Sequence, residues 1–239
     1  MKKNTEYGEG TLFTIMNYFM WIFVGNLLFI TCTFPMMFIL FFLGDQLAEL
    51  GIITPIIALL VGPALTALLC YMGKVVRDQD VAMFKDFFKG YKDSFKQTFL
   101  FWTAEVLLIS VLIFNMKLIQ DTSFSKIYNV VVISIILIIF MLSLYIYPII
   151  SRFYLKPKDI LKLSVYYAAK KIHITILNMV AVFLGLFMCY QIPSIFPFFF
   201  FAVIAYIVMY TEAPILKEIE EKISKANKEK QVDKIEENN

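Results

Sequence analysis

Long apolar runs without charged side chains are the feature that most limits how this chain can fold. Residues 127–148, IYNVVVISIILIIFMLSLYIYP, contain no charged residue, and as a helix they would extend over roughly 30 Å, the thickness of the hydrocarbon layer of a membrane. Similar runs recur along the chain, so that 60% of its 239 residues are hydrophobic, more than a soluble core of this size can bury. The sequence therefore predicts an integral membrane protein.

The apolar runs predict an all-α fold, a polytopic transmembrane helix bundle of about six spans. Helices are expected because a spanning segment has to pair its own backbone groups in hydrocarbon. The predicted spans lie near 12–43, 51–72, 98–116, 127–148, 172–190 and 192–210. They form one domain, 1–214, followed by a charged tail, 215–239. Because Pro193 and Pro197 shorten the last run, a re-entrant segment is the alternative there.

Basic residues are distributed unevenly between the two sides of the predicted bundle. They occur at the N-terminus, in 74–96, in 152–171 and in the tail, whereas the opposite side carries only Lys117 and Lys126. Since basic flanks stay in the cytoplasm, both termini are predicted to be cytoplasmic.

The segment 80–97 predicts a basic amphipathic helix that lies flat on the cytoplasmic face of the membrane, with Asp80 as its N-cap. At about 100° per residue, an aromatic stripe forms one face, a row of lysines lies beside it, and Asp86 and Asp93 point toward water. The stripe contains Val81, Phe84, Phe87, Phe88, Tyr91 and Phe95, and the row contains Lys85, Lys89, Lys92 and Lys96. Membrane lipid is the expected partner, and packing of the stripe on the bundle is the alternative. Nucleic acid is not expected, because these lysines alternate with acids in a helix between two spans.

Glu105 is the one acidic residue well inside an apolar span. Counted from Gln97, it lies about 12 Å deep, where an ionised carboxylate would cost roughly 3 kcal/mol. One interpretation is a neutral, hydrogen-bonded structural carboxyl. The other is a polar site that binds a cation or a solute hydroxyl, together with Asn26, Asn115 and Asn178, although bonds between helices explain these amides equally well.

Prolines predict kinks within the spans. Pro63, beside Gly62, is placed in mid-span, where it would free the carbonyl of Leu59; Pro35 and Pro148 are further kink candidates. Transporters use broken helices at binding sites, but a purely structural kink is the favoured interpretation.

Side chains for catalysis or metal binding are sparse. Cys32, Cys70 and Cys189 lie far apart in apolar runs, and His173, the only histidine, sits at a basic boundary. HExxH, GxSxG, Walker and GxGxxG motifs are all absent from the sequence. We therefore expect no cofactor, no metal and no enzymatic activity.

Three stretches of the first half, GNLLFITCTFPMM, GPALTALLCYMGKVVRDQDV and FKDFFKGYKDSFKQTFLFW, resemble the YesL-like family of small bacterial multi-pass membrane proteins of unknown function. The second half is similar only in its hydropathy. The residues that carry the resemblance are Asn26, Pro35, Gly62, Pro63, Arg77, Asp80, Phe84, Phe88, Phe95 and Gln97. The resemblance implies a location in the bacterial cytoplasmic membrane and a family often encoded beside carbohydrate ABC importers and enzymes of polysaccharide breakdown. It carries no assigned catalytic residues.

Two classes of function follow from these expectations. The first is a non-enzymatic accessory or regulatory protein of carbohydrate ABC import and polysaccharide use, with importer subunits as partners. The second is a small-solute transporter with a polar site at mid-membrane. A polar cavity at mid-depth, open to one side, would distinguish the transporter from the accessory protein.

Overall fold

The computed structural model describes residues 11–50, 59, 61–78, 81–120, 124–192 and 197–236. The side chains at 11–12, 36–37, 40–41, 43–50, 197–198, 226–227 and 229–236 lie outside this description. Seven helices occupy the described part of the chain, and no strand occurs there, which confirms the predicted all-α fold. They are α1 (Thr11–Leu50), α2 (Val61–Asp78), α3 (Met83–Leu118), α4 (Ser125–Arg152), α5 (Pro157–Lys170), α6 (Ile172–Gln191) and α7 (Pro197–Glu236).

Five helices of the described residues are long and apolar enough to cross a membrane, as expected for a polytopic bundle. They include α3, α4 and α6 over their full lengths, Phe13–Pro35 of α1 and Phe199–Lys225 of α7. The predicted span 51–72 lies partly outside the described residues, and its described part belongs to α2, which is 18 residues long and continues to Asp78.

The central element of the bundle is α2. It contacts α1, α3, α4 and α7, and both Ala64 and Ala67 are fully buried. Small residues let the neighbouring helices approach closely. A Cβ atom added to Gly25 of α1 would lie 2.7 Å from the Tyr71 ring, and one added to Gly73 would lie 2.5 Å from Cε of Met209 in α7. A side chain at Gly25 would press on the Tyr71 ring, and one at Gly73 would require the flexible end of Met209 to move.

One continuous helix, α3, contains both the predicted interfacial segment and the third predicted span. It has 36 residues and no break at residue 97, where the sequence had placed a boundary. No proline interrupts this stretch, so nothing in its covalent structure forces the helix to end. Asp80 lies outside the described residues, and Ala82 is the N-cap.

The expected kink positions differ in their helical context. Pro35 lies inside α1 and Pro148 inside α4. Gly62 and Pro63, in contrast, stand in the first turn of α2. Because the first N–H groups of a helix have no partner within it, Pro63 costs α2 no hydrogen bond. The predicted mid-span position depends on residues 51–58 and 60, which lie outside the described residues.

Helix α7 continues well past the predicted start of the charged tail. It runs unbroken from Pro197 to Glu236 and contains Pro214. Ile215, Leu216 and Ile219 are each only 1% exposed, so the beginning of the predicted tail packs into the bundle. The apolar residues recur at helical spacing, which keeps them on the face that contacts the other helices.

The short helix α5 is basic and amphipathic. It begins at Pro157 with Asp159 in its first turn, and Ile160, Ser164 and Tyr167 are buried on one face. Lys158 and Lys162 are exposed. This helix places basic side chains at the same end of α4 as Arg152.

Candidate functional site

A cavity of about 630 Å³ opens between α2, α3, α4 and α7 at the end of the bundle that is rich in basic residues. Charged side chains from all four helices line it. The basic ones are Lys74, Arg77, Lys89, Arg152 and Lys217, and the acidic ones are Asp86, Asp93 and Glu220. The lining therefore carries an excess of positive charge.

Two ion pairs join different helices around this cavity. Nζ of Lys74 in α2 lies 2.7 Å from a carboxylate oxygen of Asp86 in α3. A guanidinium nitrogen of Arg152 at the end of α4 lies 2.6 Å from the carboxylate of Glu220 in α7. The first pair joins α2 to α3, and the second joins α4 to α7.

Arg77 forms its ion pair within α2. Its guanidinium donates to both carboxylate oxygens of Asp78, at 2.8 and 2.9 Å. This hydrogen bonding holds the pKa of Asp78 below its ordinary value, and the positive charges of Lys74 and Arg152 add to the shift. Arg77, Lys74 and Arg152 all line the cavity.

Apolar and aromatic side chains complete the cavity wall. Phe153 and Tyr154 line it next to Met209 of α7, and the guanidinium of Arg152 lies 5.7 Å from the centre of the Phe153 ring. Tyr154 is 79% exposed. The cavity therefore combines cations with an apolar surface at one end of the bundle.

Glu105 of α3 forms hydrogen bonds with side chains of α4 and does not line the cavity. Ser143 Oγ lies 2.5 Å from one of its carboxylate oxygens, and the hydroxyl of Tyr147 donates to the other. Ser143 Oγ also lies 2.8 Å from the carbonyl oxygen of Ile139. One hydroxyl proton cannot serve two acceptors at once, so a neutral Glu105 that donates to Ser143 would satisfy every group.

Asn178 belongs to a second buried polar cluster between α6 and α7. Its amide nitrogen donates to Glu212 at 3.1 Å, and its amide oxygen accepts from the Thr211 hydroxyl at 2.7 Å. Both Asn178 and Glu212 are fully buried. Glu212 was missed in the sequence because it follows the last apolar run and looks like part of a boundary; the extension of α7 past Tyr210 is what buries it.

The other two asparagines lie elsewhere and bond to backbone. Oδ1 of Asn26 in α1 accepts from the backbone N–H of Ala202 in α7 at 3.0 Å. Asn115 donates to the carbonyl of Val111, four residues earlier in its own helix, at 2.9 Å. These bonds place Asn26 at the contact between α1 and α7, and Asn115 within α3.

The aromatic stripe of 80–97 divides between two environments. Phe87 is fully buried, whereas Phe84, Phe88 and Phe95 are 63, 51 and 38% exposed. Tyr91 is half-buried. Thus Phe87 packs on the bundle, as in the alternative interpretation, while the other three rings are exposed on the helix surface.

The lysine row largely faces outward, but Asp86 does not. Lys85, Lys89, Lys92 and Lys96 are exposed, and only Lys89 of this row lines the cavity. The side chain of Asp86 is only 10% exposed, because its carboxylate binds Lys74 and also accepts from the backbone N–H of Ala82 at 2.9 Å. The expectation that Asp86 points toward water is wrong.

Within the described part of the chain, no group of three or more His, Cys, Asp or Glu residues could hold a metal ion. The three cysteines are free and half-buried.

Comparison with known proteins shows that part of the chain is similar to one protein family. No curated protein and no solved structure matches it. A family model described as "Protein of unknown function, DUF624" matches residues 13–116, which contain α2 and most of α1 and α3. The chain is thus similar, over slightly less than half its length, to a family of unknown function, and its long apolar helices are those of a membrane-embedded protein.

Proposed function

We propose that the chain is a YesL-like protein of the bacterial cytoplasmic membrane, with both termini in the cytoplasm, that works as a non-enzymatic accessory or regulatory component of carbohydrate ABC import and polysaccharide use. The observation that carries the proposal is the position of the cavity at the charged end of the bundle. None of Glu105, Asn26, Asn115 and Asn178 lines it. Since a transporter binds its solute near mid-membrane, this position supports the accessory role.

The contacts of Glu105 support the same choice. Each of its carboxylate oxygens has a hydrogen-bond partner in α4, Ser143 for one and Tyr147 for the other, which is the arrangement of a structural carboxyl. The carboxyl acts here as a tie between α3 and α4. A small-solute transporter with a mid-membrane polar site remains the alternative, and the Gln and Leu variants of Glu105 test it.

The exposed lysines of α5 offer a surface for partner subunits. Lys158 and Lys162 are exposed and lie in the stretch that the charge distribution assigns to the cytoplasm. A positive surface at this position would attract an acidic patch on an importer subunit and accelerate their association.

Affinity purification from the bacterial host tests the proposal. The tagged full-length chain is extracted in mild detergent, and its co-purifying proteins are identified by mass spectrometry. We expect permease or ATPase subunits of a carbohydrate importer to be enriched over a tag-only control. Replacement of Lys158 and Lys162 by Glu should reduce this enrichment, because it reverses the charge of the α5 surface.

A matched control comes from the opposite side of the membrane. Lys117→Glu with Lys126→Glu makes the same change of charge at two exposed positions and should leave the enrichment unchanged. Absence of importer subunits, together with sugar uptake by vesicles that contain this chain alone, would contradict the accessory role and establish the transporter.

A further inference from the structure

We propose that the cavity between α2, α3, α4 and α7 is a binding site for a phosphate-bearing ligand. This inference goes beyond the accessory role and does not depend on it. It rests on the charge of the cavity, on two lysines without acidic partners, and on the apolar wall behind the charges.

The charge of the lining favours an anion. Five basic and three acidic side chains face the cavity. Lys74, Arg77 and Arg152 have acidic partners. Lys89 and Lys217, in contrast, form no ion pair with any described residue, and both are exposed. Asp93 is the lining acid that has no ion pair with a described residue, so two cations and one anion of the lining are unpaired, and the balance is positive.

Stabilisation of helix ends explains the arginines but not these lysines. Arg77 and Arg152 stand in the last turns of α2 and α4, where a cation offsets the partial negative charge of the helix end. Lys89 lies near the N-terminus of α3, the end that a cation does not stabilise, and Lys217 lies in the middle of α7, so that reason does not apply to them. Their common property is that both side chains line the same cavity.

The arginines also have the chemistry that phosphate recognition needs. A guanidinium presents several N–H donors in one plane, so it can keep a carboxylate partner and still donate to a phosphate oxygen. Arg152 is 17% exposed at its side chain and lines both the main cavity and an outer recess that also includes Arg77 and Lys228. Each arginine can therefore be reached from the cavity mouth.

The size of the cavity and the composition of its wall are compatible with two kinds of phosphate ligand, a phospholipid headgroup and a soluble phosphate ester. The volume of about 630 Å³ is within the range of small-ligand sites. A phospholipid headgroup could enter with its glycerol next to Phe153 and Met209, since basic pockets between transmembrane helices bind anionic lipids. A soluble phosphate ester could bind through the same cations.

The test measures binding by the full-length chain in neutral detergent. One arm titrates inorganic phosphate at constant ionic strength, and the other titrates phosphatidylglycerol in mixed micelles against phosphatidylcholine. Saturable binding of at least one probe is expected. Lys89→Gln with Lys217→Gln should weaken it by about tenfold or more, because each lysine near such a surface makes a sizeable contribution.

The control pair is Lys92→Gln with Lys225→Gln. These lysines lie on the same two helices and are exposed, but do not line the cavity, so the affinity should change less than about twofold. Binding of phosphate alone identifies a soluble ligand, binding of phosphatidylglycerol alone identifies a lipid, and binding of both supports the site with either source. Failure of both probes to bind wild type, or equal losses in the two pairs, would overturn the proposal.

Discussion

Asp86 shows how a single side chain can belong to the fold rather than to the surface. Its carboxylate binds Lys74 in α2 and accepts from the backbone N–H of Ala82 at the start of its own helix. The first contact fixes α3 against α2. The second satisfies one of the N–H groups that a helix leaves without a partner at its N-terminus.

Asp86→Asn should therefore destabilise the protein by about 1 to 2 kcal/mol, because it removes a charge-assisted bond that is mostly shielded from water. Asp93→Asn on the same helix serves as the control, since Asp93 is exposed and should change stability by less than about 0.5 kcal/mol. Thermal unfolding in detergent measures both. Equal stability of the two variants would show that the contact of Asp86 with Lys74 contributes nothing.

Glu105 should tolerate Gln but not Leu. The amide of Gln can donate to Ser143 and accept from Tyr147, whereas Leu leaves the buried Tyr147 hydroxyl, which is bonded to Glu105, without its acceptor. We expect Glu105→Gln to unfold near the wild-type temperature and Glu105→Leu to lose roughly 1 to 3 kcal/mol.

Growth on the relevant carbohydrate separates the two interpretations of Glu105. If Glu105 is purely structural, the Gln variant should grow like wild type. A stable Gln variant that fails to grow would instead favour the transporter, because only the ability to ionise has been removed.

At the level of the element, two neighbouring residues of α3 lie on different faces of the helix. Phe87 is fully buried, and the next residue, Phe88, is 51% exposed. A helix turns by about 100° per residue, which is enough to carry neighbours from the bundle to its surroundings. The buried face continues through Gly90, Ser94, Gln97 and Thr98.

Phe87→Ala should cost about 3 to 5 kcal/mol, because it leaves a cavity between α3 and the bundle. Phe88→Ala removes the same atoms from an exposed position and should cost less than about 1 kcal/mol. Thermal unfolding of the two variants, both purified in the same detergent, provides the comparison. A larger loss for Phe88 would contradict the described orientation of α3.

At the level of the whole molecule, both ends of the chain are predicted to face the cytoplasm. In a background without Cys32, Cys70 and Cys189, Gln46→Cys should react with an impermeant thiol reagent on intact cells. Asn238→Cys should react only after the cells are permeabilised, since the lysine-rich tail stays inside. Labelling of Asn238→Cys on intact cells would exclude the proposed orientation.

The sequence alone determined that the protein is helical and membrane-embedded. An uncharged run as long as 127–148 has the length of a spanning helix, and a helix satisfies all of its backbone hydrogen bonds within the segment. The periodicity of 80–97 also indicated correctly that this stretch is helical from Met83 onward. These properties depend on neighbours within a few turns, which is the range over which a sequence pattern carries information.

Only the tertiary structure decided which residues meet. The buried pair of Asn178 and Glu212 joins residues 34 positions apart, and the cavity combines lysines from α2, α3 and α7 with the arginine that ends α4. Periodicity identifies the faces of a helix but not the helix that each face contacts, because that choice depends on close packing among all of them. For this reason the sequence found Glu105 and Asn178 as polar residues, while the basic cavity emerged only when the helices came together.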